Sequence, residues 1–234
     1  MYHCVNCGAK IEELYRTYCP NVLKLLECDR CRHLADKYIE YDPAIILVDL
    51  ILLDKRAYRH LLYNCDLKYC WKLVIIIWLI ESFRNLSLCN YSESNTKVLK
   101  AFQPAFDEHC NFYLVLLRTA ISFAAFFIVV VFLTRIKKFF YQTRTDKDNM
   151  THLWKALVIG GSCKLLGLLE ITWGHIFLAP HYLLILGYTL LCLLTAYSVV
   201  SDNGKLESLV IIGIGSLVYN CASNFLSTTF PILD

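Results

Sequence analysis

Charge is scarce in this sequence. Of 234 residues only 18% are Asp, Glu, Lys or Arg, where an ordinary soluble domain carries about 25%. Apolar residues make up 57%, and the mean hydropathy is +0.46. The deficit lies after about residue 70, so the second part of the chain reads as membrane. Catalytic signatures are missing as well. There is no Gly-rich phosphate loop, no G-x-S-x-G elbow and no H-E-x-x-H pair. His175 and His181 flank the end of an apolar segment, as an acyltransferase histidine would, but no supporting Asp or Asn stands near them. The expectation is therefore a protein that is not an enzyme. No basic patch is interleaved with aromatics, which excludes nucleic acid as a partner. The formal net charge of +3 adds nothing further. The polar N-terminus lacks the pattern of a cleavable signal peptide, so the first long apolar segment is expected to act as a signal anchor.

Cysteine, by contrast, is plentiful, at twelve. The residues are spread through polar and apolar segments and do not read as one secreted disulfide framework. Four of them form two Cys-x-x-Cys knuckles, Cys4-Val5-Asn6-Cys7 and Cys28-Asp29-Arg30-Cys31. A Cys-x-x-Cys turn curls back so that two thiolates face one ion, and zinc takes four such ligands in a tetrahedron at about 2.3 Å. The spacer from Cys7 to Cys28 holds twenty residues, within the range for paired zinc knuckles. Ile11, Leu14, Tyr15, Tyr18, Val22, Leu23 and Leu25 make the spacer a β-ribbon, with Cys19-Pro20-Asn21 as its turn. The alternatives are reduced thiols in a core, or disulfides. So small a segment cannot bury a sufficient core without a staple, which favours zinc on Cys4, Cys7, Cys28 and Cys31. Cys19, His3 and His33 are bystanders in this reading. Thiolates that bind zinc need a reducing compartment, which places the head in the cytosol.

Residues 1–36 are thus the zinc ribbon and 37–68 an interfacial helical segment. In the latter, Asp42-Pro43 is a helix start, with Asp as cap and Pro at the first position. The apolar run from Ala44 to Leu53 is too short to span. It leads into a stretch where Lys55, Arg56 and Arg59 alternate with apolar residues. One reading lays these helices in the membrane interface with the basic residues at lipid headgroups. The other packs them on the ribbon as a hinge. Residues 69–234 form a helical bundle of about five spans, 69–83, 112–133, 154–178, 182–200 and 206–226. A four-span variant makes the first or third re-entrant. Basic residues cluster before the first span and in the loop after the second, as expected of cytosolic segments. The 84–111 loop is then lumenal. It carries sequons at Asn85 and Asn90 and the pair Cys89 and Cys110. A further sequon at Asn149, on the opposite side, keeps glycosylation from deciding the topology.

The stretch DKYIEYDPAIILVDLILLDKRAYRHLLYN, following two zinc knuckles, closely resembles the Arv family of endoplasmic-reticulum lipid-homeostasis proteins. The resemblance is dense from Cys4 to about Asn64 and beyond that is architectural. It implies a role in intracellular sterol transport and lipid homeostasis at the endoplasmic reticulum, extending to sphingolipid balance and glycosylphosphatidylinositol (GPI) assembly, with no established enzymatic activity. It carries the zinc-ligand role onto Cys4, Cys7, Cys28 and Cys31.

The fold expected is a mostly α-helical polytopic membrane protein with a small N-terminal zinc ribbon. In the third span Gly160, Gly167 and Gly174 recur every seven residues, a stripe for helix packing or a groove for a flat sterol. Lys164 and Glu170 are ionisable residues at membrane depth and so are functional candidates; Arg118 is a possible partner for Glu170. Lys55, Arg56, Arg59, Gly160, Lys164, Gly167, Glu170 and Gly174 are the candidate lipid-binding residues. The partners expected are membrane lipids, sterol first, and lipid- or GPI-synthesising membrane proteins. An adaptor whose ribbon recruits such a complex is the competing class, and a membrane transferase the third.

Overall fold

The computed structural model describes residues 2–19, 22–66, 70–99, 111–140, 147–168, 172, 179–201 and 205–229. The head begins with two antiparallel hairpins. Strand β1 (Tyr2–His3) pairs with β2 (Lys10–Ile11), and β3 (Tyr15–Cys19) pairs with β4 (Val22–Leu25). The second hairpin is the ribbon expected of the spacer. Pro20 and Asn21, the expected turn, lie outside the described residues. An isolated bridge, Glu27 to Leu34, closes the second knuckle.

A short 3-10 turn (Lys37–Glu40) leads to α1 (Pro43–Ile51) and α2 (Lys55–Arg59), which passes into a π turn (His60–Asn64). Asp42 Oδ1 accepts from the Ala44 N–H at 2.9 Å, with Pro43 opening the helix, as the dipeptide predicts. Asp54 caps α2 in the same way, through the Arg56 N–H at 3.0 Å. Leu53 takes a left-handed φ of 62° between the two helices. These helices pack on the head, one of the two arrangements weighed from the sequence. Ala57 packs with Val5 and Tyr38 against the head. On the other side of α1, Leu47 (58%) and Leu52 (71%) remain exposed with Ile45, Val48 and Ile51, an apolar row of the kind that enters a bilayer interface.

The bundle consists of α3 (Cys70–Leu99), α4 (Phe112–Phe140), α5 (Lys147–Gly161) with a 3-10 turn (Ser162–Leu166), α6 (Ala179–Ser201) and α7 (Lys205–Thr229). Helix α4 lies along α7, and α5 along α6. Their shared core is Phe126 and Val130 of α4, Leu157 of α5, Leu193 and Tyr197 of α6 and Ile212 of α7. Among the described residues three helical stretches are long and apolar enough to cross a membrane: Phe112–Lys137, Leu183–Ser201 and Leu206–Thr228. These correspond to the expected spans 112–133, 182–200 and 206–226.

The other two segments differ from their sequence outlines. Helix α3 does not stop at residue 83 but runs on to Leu99. Charges end an apolar run without ending a helix, and no Gly or Pro interrupts residues 70–99. The 154–178 segment is not one straight helix. Its α-helical winding closes at Gly161 and tightens to 3-10 over Ser162–Leu166, at the Gly160-Gly161-Ser162 triplet, where helix propensity is lowest. A seven-residue stripe needs uniform α winding, so Gly160 and Gly167 do not share one. The Cβ that Gly160 lacks would fall 2.8 Å from Leu193 Cα, so this glycine is what lets α5 and α6 touch backbone to backbone. Gly167 instead faces the stem of Arg84. Gly174 and Glu170 lie outside the described residues.

A candidate metal centre and an intramembrane cavity

Each knuckle is built by the same local geometry. In the first, Gly8 N–H donates to Cys4 O at 2.9 Å, with Gly8 at φ 78°. In the second, Arg32 N–H donates to Cys28 O at 2.7 Å, with Arg32 at φ 55°. The fifth position of each knuckle thus turns left-handed, which suits glycine and costs an arginine. The two loops aim their sulfurs at one point. Cys4 Sγ lies 3.8 Å from Cys31 Sγ, and Cys7 Sγ 3.6 Å from Cys28 Sγ. All four sulfurs fall within 4.8 Å of one another. A tetrahedron with metal–sulfur bonds of about 2.3 Å has edges of about 3.8 Å, so the four cysteines fit a single ion. Burial pushes the Cys4 thiol up to about 12, whereas the His33 backbone N–H holds Cys31 down to about 6. A metal would compensate the charge that burial opposes at Cys4. Neither His3 nor His33 belongs to the cluster.

Arg59 ties this head to the helices. Its guanidinium donates to Asn6 O at 2.7 Å and Val5 O at 3.0 Å, on the first knuckle itself. Arg56 pairs with Asp54 at 2.9 Å. Tyr58 and Leu62 then pack on Ala156 and Ile159 of α5 and on Ala196 and Val199 of α6. Leu50 borders both this cluster and that of Val5, Tyr38 and Ala57, so the helices link head to bundle.

Within the bundle Lys164 has a partner on another helix. Its Nζ donates to Glu81 Oε1 at 3.0 Å. Tyr219 Oη donates to the same oxygen at 3.0 Å, and Arg84 approaches it at 3.6 Å. The Lys164 ammonium also stands 4.3 Å from the centre of the Tyr219 ring. Glu81 was not among the candidate residues. The signal that could have found it is the presence of opposite charges in two apolar segments, each needing a partner. These groups line a cavity of about 360 Å³ walled mostly by apolar side chains, among them Trp78, Phe123, Phe127 and Leu186, with Thr189, Ser216 and Asn220 also on its lining. Gly161 and Gly167 open onto it; Gly160 does not. Pockets for small ligands run from about 300 to 1,000 Å³ with a few convergent polar groups, and this one has that form.

A cysteine-ribbed head docked on a bundle of membrane-type helices is the class of protein these features define. The model of the Arv1-like family matches residues 3–196, and the chain belongs to that family. It is 33% identical to human Protein ARV1 over 174 residues, covering 74% of this chain and 63% of that protein. It is 31% identical to the mouse Protein ARV1 over 222 residues, covering 93% and 80%. Protein ARV 2 of Arabidopsis thaliana is 40% identical over 92 residues, 36% of this chain and 40% of that one. The match thus spans less than two thirds of the human relative's length. No solved structure matches the chain.

Proposed function

We propose that this protein binds sterol or a similarly shaped membrane lipid in its bundle cavity, and serves intracellular sterol transport and lipid homeostasis at the endoplasmic reticulum. The observation that carries this is the cavity itself. It offers mostly apolar walls for a rigid hydrocarbon body and a polar group of Glu81, Lys164 and Tyr219 that can hydrogen-bond a hydroxyl. Zinc is the ion proposed for Cys4, Cys7, Cys28 and Cys31; it supplies the charge and the four bonds that fold the head. Lys55 and Arg56 are placed at headgroups beside the exposed apolar row of α1. The head faces the cytosol. Supporting this, the four head thiols are free, whereas Cys89, nineteen residues beyond Cys70 on α3, is disulfide-bonded, and disulfides persist in oxidising compartments such as the lumen. Cys110 lies outside the described residues.

The test is photo-crosslinking of a diazirine sterol to the purified full chain, compared with Gly161→Leu. A Cβ at position 161 meets no atom within 4 Å, so leucine fills the cavity without distorting the helix. Crosslinking should fall at least tenfold at unchanged thermal stability. Equal crosslinking of both proteins removes the proposal. A second reading, that the head recruits a lipid- or GPI-synthesising membrane complex, draws on the exposed Tyr15, Tyr18 and Leu23 of the ribbon. It requires that Tyr18→Ser lose co-purifying partners while sterol crosslinking persists.

A further inference from the structure

Away from the metal cluster, at the junction of head and bundle, a second cysteine has unusual company. Cys65 is a free, half-buried thiol. Its Sγ lies 3.0 Å from His60 Nε2. The other ring nitrogen, Nδ1, lies 2.6 Å from Asp36 Oδ2. Asp36 is fully buried and locked in place, accepting from the Tyr38 N–H at 3.0 Å and from Asn64 Nδ2 at 2.6 Å. The π turn makes this possible. Cys65 N–H donates to His60 O at 3.0 Å, and that five-residue winding brings positions 60 and 65 to one side, where α winding would separate them. Thiol, imidazole and carboxylate therefore stand in the order of a nucleophile, its base and the group that orients the base.

We infer that Cys65 is an acyl-accepting thiol: His60, oriented by Asp36, takes the proton of Cys65 Sγ, and the sulfur accepts a long-chain acyl group from an acyl-coenzyme A thioester. The sulfur attacks the acyl carbonyl carbon; the new S–C bond forms as the carbonyl–sulfur bond to coenzyme A breaks. The leaving thiolate recovers the proton from His60 Nε2, giving S-acyl Cys65 and free coenzyme A. No oxidant or reductant is needed. Burial opposes a charge on His60, but its bonds to Asp36 and Cys65 outweigh that and hold the imidazole up to about 9, so a proton taken from the thiol has a stable seat. Position supports the same chemistry. Cys65 lies between the interfacial helices and α3, and cysteines beside a membrane segment are the ones that carry fatty thioesters. The chain attached there would anchor the head at the bilayer next to the exposed row of α1.

The experiment incubates the purified full chain, in detergent, with alkyne-tagged palmitoyl-coenzyme A and maps the label by mass spectrometry. The result expected is a label at Cys65 that neutral hydroxylamine removes, at least tenfold above that at Cys70 in the same molecules. Cys65→Ser should lose it, and His60→Gln should acquire it at least tenfold more slowly while eluting as the same species. No label at Cys65, equal labelling of Cys65 and Cys70, or a wild-type rate in His60→Gln would overturn the inference. The comparison of the two cysteines uses the unaltered protein, so it stands even where His60→Gln does not fold.

Discussion

Glu81 should be the most sensitive single position in the bundle. Its carboxylate accepts from Lys164 and Tyr219 at 3.0 Å each and faces Arg84 at 3.6 Å, with the Glu81 side chain 5% exposed. Replacing it with the isosteric Gln preserves shape but removes the negative charge that faces the part-buried Lys164 and Arg84. Breaking a buried pair from one side costs about 3–5 kcal/mol. For a chain of this length that corresponds to a fall of roughly 10 °C in Tm. Lys164→Met alone should cost less, because Arg84 and Tyr219 still face the carboxylate. The decisive variant is the double one. Glu81→Gln with Lys164→Met removes both charges, so it should recover about 2 kcal/mol or more relative to the sum of the single changes. Thermal unfolding of the four proteins in one detergent, followed by tryptophan fluorescence, measures the cycle. Strictly additive losses, or a Glu81→Gln protein within about 1 kcal/mol of the parent, would show that the charges do not stabilise the bundle through each other.

The two knuckles should respond oppositely at equivalent positions. Gly8→Ala places a Cβ at φ 78° and should destabilise the head by about 1 kcal/mol, whereas Arg32→Gly relieves the same strain at φ 55° and should stabilise it by a similar amount; chelator titration of bound metal reads both. One zinc per chain should be found by elemental analysis, and Cys28→Ala should abolish it and collapse the head while α4, α6 and α7 keep their helicity in circular dichroism. The folded-state value of His60, raised to about 9 from an ordinary 6.5, means that its contribution is complete below about pH 6.5 and is lost as pH rises through 9, so stability should fall by up to about 3 kcal/mol across that window and His60→Gln should flatten the profile. Gly160→Val should push α5 from α6 against Leu193 and cost about 1–3 kcal/mol, in contrast to the tolerated Gly161→Leu.

How much of this was legible in the sequence follows from the range of each interaction. The knuckles and the Asp42-Pro43 helix start are local devices, fixed by neighbours within a few residues, and both appear where the spacing puts them. The three long apolar helices were legible because an apolar run of about twenty residues with at most one charge stands out from the rest of the chain. The partner of Lys164 was not, because Glu81 stands eighty-three positions away and an ionisable residue in an apolar segment announces only that it needs a partner. The glycine pattern misled for a different reason. Seven-residue spacing marks a stripe only while the helix stays α, and the Gly160-Gly161-Ser162 triplet is what ends that winding. The Cys65, His60 and Asp36 set had no signature at all. His60 and Cys65 meet through a π turn, a rare winding, and Asp36 reaches them from the far side of two intervening helices.

The placement of Arg59 decides what the head can do to the bundle. A basic residue in an interfacial stretch is ordinarily free to follow lipid headgroups, yet this one is bound to the carbonyls of Val5 and Asn6, between Cys4 and Cys7. One residue earlier, Tyr58 enters the core shared with α5 and α6. The next turn carries His60 to Asp36, and Leu62 O accepts from His152 Nδ1 of α5 at 2.9 Å. Over this short stretch the chain is held alternately by the head and by the bundle, so the two cannot reorient independently without breaking buried contacts. Helices α5 and α6, which receive Tyr58 and Leu62, also wall the cavity through Leu157, Leu186 and Leu193. A change in the fold of the head would therefore reach the cavity by a direct mechanical route. The head supplies the carbonyls that hold Arg59, Arg59 holds α2, and α2 fills the space between the two helices that close the pocket.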